Sequence, residues 1–587
     1  MISPTTCRSI VRAALVAVIA VLVAACVDPL ARTQEQALRE RLLATHRAYT
    51  QSVADAPLIH VTREPGDVQQ KLEESGRVGQ LDAMSGPSAY DHAAIALGAD
   101  LAGQTEATLV TITLQRAIEL AVANNLDLQL ARLVPAARQA ELTRAEAAFD
   151  ATLFTNLDYS AVDDPDTSTA TFGDRATQTT NLLTGIRKPL TTGGEMRAQT
   201  ELAVNKNIFG AAITDTNPLY EANVLVGLSQ PLLRGFGTDV NRAQIELLES
   251  DLRSDIADLS SRLMQLALDT EAGYWRLVEA RQRLLIQQRL LQRTIEDRDR
   301  LEQRKAFDVS PVRITEANSF VELRRADVIR ARNDVRLASD RLKALVNSPD
   351  LPVSGEALLA PMEMPADIPI DYSLLDAVTT ALRHRPEIEQ ALLTIEDAAI
   401  RQRVADNLRL PMLDLDAAMR FHGWDGDDAG GAYDNLTEAD YIDYLISAQL
   451  EIPIGNRAAE AMYQQRKIER LGAVIAYQRA AQSVVLEVKE ALRNLLTSYE
   501  LIGATRAARR AAADNLRAIE EQEKAGVALT PEFLLDLKLQ TQQRLADAEV
   551  QEIQALAQYN VAVATLYRTM GTLLQRNRIA FVYEVQN

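Results

Sequence analysis

The sequence predicts a mixed α/β membrane protein. Long antiparallel helices form a coiled-coil barrel, a membrane β-barrel shared between chains continues it, and each chain is built from two tandem repeats. Three observations carry this expectation: the chain repeats itself at an offset of 260 residues, long stretches keep heptad spacing, and each half contains short segments of strand character. Composition sets the bounds. The 587 residues are 47% hydrophobic and 24% charged, too apolar for a disordered chain. A formal charge of −19 argues against a nucleic-acid partner read through its phosphates. Two cysteines and 5 histidines exclude a disulfide scaffold and a thiolate zinc cluster. No metal site, cofactor or enzymatic activity is expected.

The first 25 residues read as a signal peptide. Arg8 and Arg12 precede the apolar run Ala13–Ala25, which is too short for a spanning helix of about 20 residues but suits export. The run ends Val23-Ala24-Ala25-Cys26, which resembles a bacterial lipobox, so Cys26 is the expected lipid-bearing first residue. An ordinary signal peptide with an incidental cysteine is the alternative. Val27, where an Asp would favour inner-membrane retention, points to the outer membrane. Residues 26–110 read as a lipid-anchored arm: a short helix at Leu38–Tyr49, then irregular chain punctuated by Pro57, Pro65, Gly66, Gly76 and Gly86-Pro87. No later segment is apolar and long enough to be a membrane helix, so any embedded part must be a closed β-barrel.

Residues 111–350 and 372–575 form the two expected repeats, joined by a linker at 351–371 and followed by a tail, 576–587. Thr113–Leu153 superposes without gaps on Ser373–Leu413, with identities at Leu114, Ala117, Ala121, Ala131, Leu133, Ala145 and Leu153. Each repeat opens with a helix (Ile112–Phe149; Tyr372–Arg409). A strand follows, then a polar loop and a second strand (Asn223–Gln230; Tyr444–Ile452) that alternates with period two. A very long helix then runs to about Phe307 or Gly526. Ile245, Leu248, Leu252, Ile256, Leu259, Leu263 and Leu266 give it coiled-coil spacing. Ser310-Pro311 and Thr530-Pro531 then start return helices, each with a capping hydroxyl and a proline where a missing N–H costs least. A helix of about 70 residues spans roughly 105 Å, about the sum of the two shorter helices, which predicts a rod.

Two hairpins give about four strands per chain, and a hollow barrel needs about eight or more, so several chains must share one. Three chains give twelve. The interval from Ala151 to Pro231 exceeds that from Pro411 to Pro453 by 38 residues. The surplus holds strand-like segments over 181–204 around Thr191-Thr-Gly-Gly194. This extra hairpin either enlarges the barrel, sits beside it, or is a surface loop with local strands.

The junction Leu228-Ser-Gln-Pro-Leu-Leu-Arg-Gly-Phe-Gly237, Ala381-Leu-Arg-His-Arg-Pro-Glu-Ile388, Gly526-Val-Ala-Leu-Thr-Pro-Glu-Phe-Leu-Leu-Asp536 and Leu566-Tyr-Arg-Thr-Met-Gly571 recur in duplicated order. Over about 111–575 the chain resembles the outer-membrane efflux protein (TolC) family. The resemblance implies a homotrimer with a twelve-stranded outer-membrane β-barrel and a helical barrel crossing the periplasm. It implies a passive exit duct of a tripartite efflux or type I secretion system, coupled to a periplasmic adaptor (membrane-fusion) protein and an inner-membrane pump. It also implies an acidic ring near the second helical tip. Glu532 and Asp536, spaced i, i+4 on one helix face, are the candidate periplasmic gate, although Asp536 lies four residues farther from Gly571 than the usual arrangement. A solvated first helical turn is the plain alternative. Glu316 is a weaker candidate at the first tip.

Other motifs read as architecture. Asp425-Gly426-Asp427-Asp428 is a polar loop rather than a calcium site, and Gly235-Phe-Gly237 is a bend rather than a phosphate loop. Phe421 and Trp424 suit either an interfacial aromatic girdle or core packing. His384 and His422 have no partners at triad or metal spacing. The rival to the channel is a periplasmic coiled-coil lipoprotein that tethers envelope layers without a pore; paired alternating strands favour the channel.

Overall fold

The computed structural model describes residues 37–580, except scattered positions before 108 and residues 165–174, 208–217, 305–309, 439 and 526–530. The expected signal peptide and Cys26 lie outside the described residues, as do both helical tips. Along the chain run α1 (Asp67–Glu74), α2 (Val78–Ser85), β1 (Leu109–Ile112), α3 (Leu114–Asn124), α4 (Leu126–Glu146) and four strands, β2 (Thr152–Asp164), β3 (Arg175–Pro189), β4 (Glu195–Asn207) and β5 (Leu219–Pro231). Next come α5 (Ala243–Arg304), α6 (Pro311–Val346), β6 (Leu358–Pro361), α7 (Leu374–His384), α8 (Pro386–Asn407) and β7 (Met412–Asp425). Then follow α9 (Ala429–Thr437), β8 (Ile442–Glu451), α10 (Arg457–Ala525), α11 (Pro531–Thr569) and a last single turn, Leu573–Arg576. Among the described residues no helix is long and apolar enough to cross a membrane.

The chain divides into two compact units. One draws on residues up to Arg132, on Ala257–Glu389 and on residues from Ala476; the other on Leu133–Ile256 and Gln390–Ile475.

In the first unit, heptad positions deliver the core. Tyr274, Leu277 and Leu284 of α5 are fully buried against Val328, Ala331 and Leu342 of α6. Each expected opening helix is broken. Ile112 belongs to β1, and the chain turns extended at Asn125 (ψ 129°). The Asn125 side chain accepts from the Leu128 N–H at 3.1 Å and donates to the Leu345 carbonyl at 3.1 Å, so the break is held by a local cap and a tertiary bond. In the second copy Pro386 forces Arg385 out of the helical region (ψ 125°) and starts α8 at its first position. The Ser310 hydroxyl caps α6 as expected, accepting from Val312 N–H at 3.4 Å. Within the expected linker, β6 pairs in parallel with β1, Leu109 opposite Leu358.

The expected irregular arm is partly helical. Leu72 of α1 and Leu81 of α2 pack against Ala513, Leu516 and Leu545. These helices have one buried apolar residue each, too weak a pattern to stand out in sequence.

The second unit holds a layer of four helices and one sheet. Leu142 of α4 packs on Ile245 and Leu252 of α5, and Arg138 pairs with Asp255 at 3.1 Å. Arg403 of α8 reaches Glu246 of α5 at 3.2 Å. Arg409 pairs with Glu460 of α10 at 2.8 Å, and Arg470 of α10 donates to Gln402 of α8 at 3.3 Å. The layer order is therefore α4, α5, α8, α10. The sheet is an antiparallel meander in the order β2-β3-β4-β5-β7-β8. Among the described residues it has six strands rather than the four that two hairpins supply, because the segment at 181–204 forms β3 and β4 inside the sheet.

Candidate functional site

The sheet has two chemically opposed faces, and its register defines them. Leu153, Ile186, Ala198, Val226, Met419 and Tyr444 lie opposite one another across all six strands. Antiparallel partners point to the same side and successive residues to opposite sides, so this row and those two residues away make one face. That face is apolar and open: Leu153 and Leu157 are 70% exposed and Ile446 is 78% exposed. A single large apolar surface of this kind on a soluble monomer would be anomalous; in hydrocarbon it is the expected exterior of a barrel wall.

The opposite face is polar. Its rows include Asn156, Glu201, Asn223 and His422, then Arg187 and Arg197, then Asp158, Asn181 and Glu221. Asn181 donates to Glu201 at 2.8 Å, Arg197 pairs with Glu195 at 3.0 Å, and His422 bridges Asn223 at 2.8 Å and Asp443 at 2.5 Å. His422 thus has two polar partners that its sequence neighbours gave no hint of. Phe421 lies on the apolar face, two strand rows from Met419, whereas Trp424 shares the polar face with Glu221.

Both edges of the sheet, β2 and β8, lack a partner strand among the described residues. The helix-proximal end is closed by tight turns. Gly235 (φ 83°) and Gly237 (φ 106°) bend β5 into α5, where Asn241 Nδ2 donates to both carbonyls at 2.8 and 2.9 Å. At the other end the Asp425–Asp428 loop serves α9: Asp428 caps it, accepting from Gly431 N–H at 2.8 Å. That helix covers part of the apolar face, with Tyr433 and Thr200 hydroxyls 3.0 Å apart.

The first unit contains buried charge networks absent from the sequence reading. Arg509 and Arg506 both pair with Glu552, and Arg506 also meets Asp367 at 2.6 Å. Burial would raise the Asp82 carboxyl, but hydrogen bonds from Arg510 and Arg509 hold it below the usual range. Lys538 of α11 donates to Asp297 of α5 at 2.8 Å and to Glu523 of α10 at 2.9 Å. Burial alone would lower the Lys538 ammonium; those two carboxylates carry it above its ordinary value.

Of the expected gate pair, Glu532 lies in the first turn of α11, with its side chain outside the described residues. Asp536 is half-buried and accepts from Gln540 at 3.3 Å. Glu316 pairs with Arg313 at 2.8 Å. His384 Nδ1 lies 3.0 Å from the Thr380 carbonyl. Two of the sequence motifs meet: Arg385 bonds Glu387 at 2.9 Å, Glu487 at 2.7 Å and the Thr569 carbonyl at 3.4 Å, and Gly571 (φ 74°) sits against the His384 carbonyl. Among the described residues no group of three or more His, Cys, Asp or Glu could hold a metal ion.

Among the described residues the chain thus combines a two-faced, open six-stranded sheet with long paired helices. Residues 377–572 match the model of the outer membrane efflux protein family. The fold is similar to solved outer-membrane channels. A membrane protein from Pseudomonas aeruginosa aligns with a TM-score of 0.57 at 18% identity, over 78% of this chain and 93% of that one. The Campylobacter jejuni CmeC outer membrane channel aligns at 0.56 and 16%, over 82% and 92%. The open state of the Neisseria gonorrhoeae MtrE outer membrane channel aligns at 0.54 and 18%, over 78% and 89%. No curated protein matches the sequence. The resemblance read from the duplicated motifs is thereby borne out.

Proposed function

We propose that the protein is the outer-membrane exit duct of a tripartite efflux or type I secretion system. It is a passive, non-catalytic homotrimer, anchored by lipid on Cys26 and extending into the periplasm, where a periplasmic adaptor and an inner-membrane pump couple to it. The observation that carries this reading is the six-stranded sheet with one exposed apolar face, one polar face and two open edges. Such a sheet satisfies its backbone in hydrocarbon only when further chains close it. A periplasmic tether needs no such surface.

The gate is assigned to the second helical tip, with Glu532 and Asp536 concentrating negative charge around a lumen. Three copies of a paired carboxylate favour cations and resist close approach of the chains. Single-channel conductance of the purified protein in a planar bilayer tests both statements. Discrete cation-preferring steps establish the pore, and loss of cation preference in Glu532→Ala/Asp536→Ala places the gate. Steps unaltered by that variant move the gate elsewhere. Folded, trimeric protein that neither conducts nor shows heat-modifiable barrel migration on a gel sinks the channel and leaves the tether.

A further inference from the structure

We infer that the β3–β4 hairpin is part of the barrel wall, so that three chains close an eighteen-stranded barrel through pairing of β8 on one chain with β2 on the next. This rests on the channel reading above and departs from the twelve strands that the family resemblance implies.

Three observations support it. First, the hairpin lies in the middle of the sheet, between the strands attached to α4 and α5, and pairs on both sides, Arg175–Arg187 with β2 and Glu195–Asn205 with β5. Second, its tight turn is fitted to the strand–helix junction. The Thr192 hydroxyl donates to Gln230 Oε1 at 2.8 Å, Gln230 returns a bond to the Thr192 carbonyl at 3.1 Å, and Gly237 N–H donates to the same carbonyl at 3.1 Å. A Cβ on Gly193 would fall 2.3 Å from the Gly235 carbonyl and one on Gly194 2.6 Å from the Ser229 carbonyl. Third, the hairpin keeps the sheet's two faces: Ile186 and Ala198 continue the apolar row, Thr179 and Gln199 the polar face.

Width explains what the hairpin is for. Four helices abreast at 8–10 Å cover about 32–40 Å. Four strands about 4.8 Å apart and tilted about 40° cover roughly 25 Å, and six cover roughly 38 Å. Six strands match the helical layer of the same unit, whereas four would force it to taper. In a trimer the backbone diameter rises from about 24 Å to about 36 Å. The occupant of each open edge is a second copy of this chain. β2 and β8 face opposite ways along the sheet, present 13 and 10 residues, and carry the apolar face to the very edge. Unpaired backbone there is intolerable in hydrocarbon.

The test uses the full-length protein. Native mass spectrometry counts the chains. Single cysteines replace Ile186 or Ala198 on the apolar face and Thr179 or Gln199 on the polar face, with Ile446→Cys as a reference on β8. The protein in lipid vesicles is then treated with a water-soluble and a lipid-soluble thiol reagent. Three chains, with the Ile186 and Ala198 cysteines reacting from lipid as Ile446→Cys does and the Thr179 and Gln199 cysteines from water, support the inference. Water labelling of both hairpin faces while Ile446→Cys reacts only from lipid puts the hairpin outside the wall and leaves a twelve-stranded channel. Two chains per assembly also overturn the count of eighteen. Water labelling at every position, Ile446→Cys included, sinks the channel reading itself. As a second measurement, residues 165–217 are replaced by a short turn, so that β2 pairs directly with β5. The polymer radius excluded from the pore should fall by about 6 Å; an unchanged cut-off overturns the inference.

Discussion

Arg509 of α10 and Glu552 of α11 form an ion pair in which each side chain is only 2% exposed. The same guanidinium donates to the Ser85 hydroxyl at 2.9 Å and to Asp82 at 2.8 Å, so one side chain ties two core helices to α2 of the arm. Removing one partner of a buried pair leaves an uncompensated charge. Glu552→Leu removes the carboxylate that Arg509 and Arg506 share, leaving them only the more exposed Asp82 and Asp367, and should cost about 3 kcal/mol. Asp82→Asn leaves the pair intact and should cost about 1–2 kcal/mol. Denaturant unfolding followed by helical circular dichroism in detergent reads both. Equal losses would show that the arm contact, and not the buried pair, holds this region.

Glu549 couples the helices to pH. It is buried, accepts from the Tyr90 hydroxyl at 2.8 Å, and its Oε1 has no partner among the described residues. Burial pushes its pKa up to about 7, against the attraction of Arg293, Arg289 and Arg509. Its unfolded value is 4.5, so between about pH 4.5 and 7 the folded state holds a proton that the unfolded state has lost. Stability from this group is therefore full below pH 4.5 and falls as pH rises to about 7, by about 3 kcal/mol. Glu549→Gln should flatten that slope and raise the melting temperature at pH 8. A variant that melts as the parent does at pH 5 and at pH 8 would remove Glu549 as the cause.

What sequence reveals here follows the strength of local patterns. The heptad in α5 places Ile245, Leu252, Leu259 and Leu263 in the core, and Ser310-Pro311 marks where α6 starts, because period and cap are both local signals. Strands β5 and β8 alternate cleanly. The full reach of β2 is hidden because its polar face carries Asn156 and Asp158, residues that read as loop until the pairing is known. Four-residue strands such as β1 and β6 are too short to show a period. The break at Asn125 has no proline to announce it, and although Pro386 restricts Arg385, the expected helix Tyr372–Arg409 runs through that signal as well. Pairs such as Asp82 with Arg510 join residues far apart in the chain, and no one-dimensional pattern encodes them.

Gly423 is required by contact rather than by a turn. A Cβ there would lie 2.1 Å from the Ala432 carbonyl and 2.8 Å from Leu436 Cβ, so α9 can rest on β7 only while position 423 has no side chain. Ala222, opposite Gly423, is fully buried beneath the same helix. Gly423→Val should lift α9 from the sheet while leaving the six-stranded pairing intact. Limited proteolysis should then cut between residues 425 and 440 in the variant only. A parent-like digest would mean that α9 is held from elsewhere.

The two faces of the sheet predict opposite responses to the same charge. Ile446 lies in the apolar row with Leu228 and Ala417, and it is 78% exposed in the isolated chain. Asn156 lies in the polar row with Glu201 and His422, on the other side of the same wall. If the apolar side meets lipid, Ile446→Arg buries a guanidinium in hydrocarbon at a cost of about 2–4 kcal/mol near the midplane. Asn156→Arg meets water and carboxylates and should be close to neutral. The readout is the fraction of protein that inserts into vesicles and migrates as a heat-modifiable assembly. Ile446→Arg should reduce it severalfold and Asn156→Arg should not. The reverse order would mean that the faces are assigned the wrong way round, and equal loss would mean that both sides of the sheet are packed against protein.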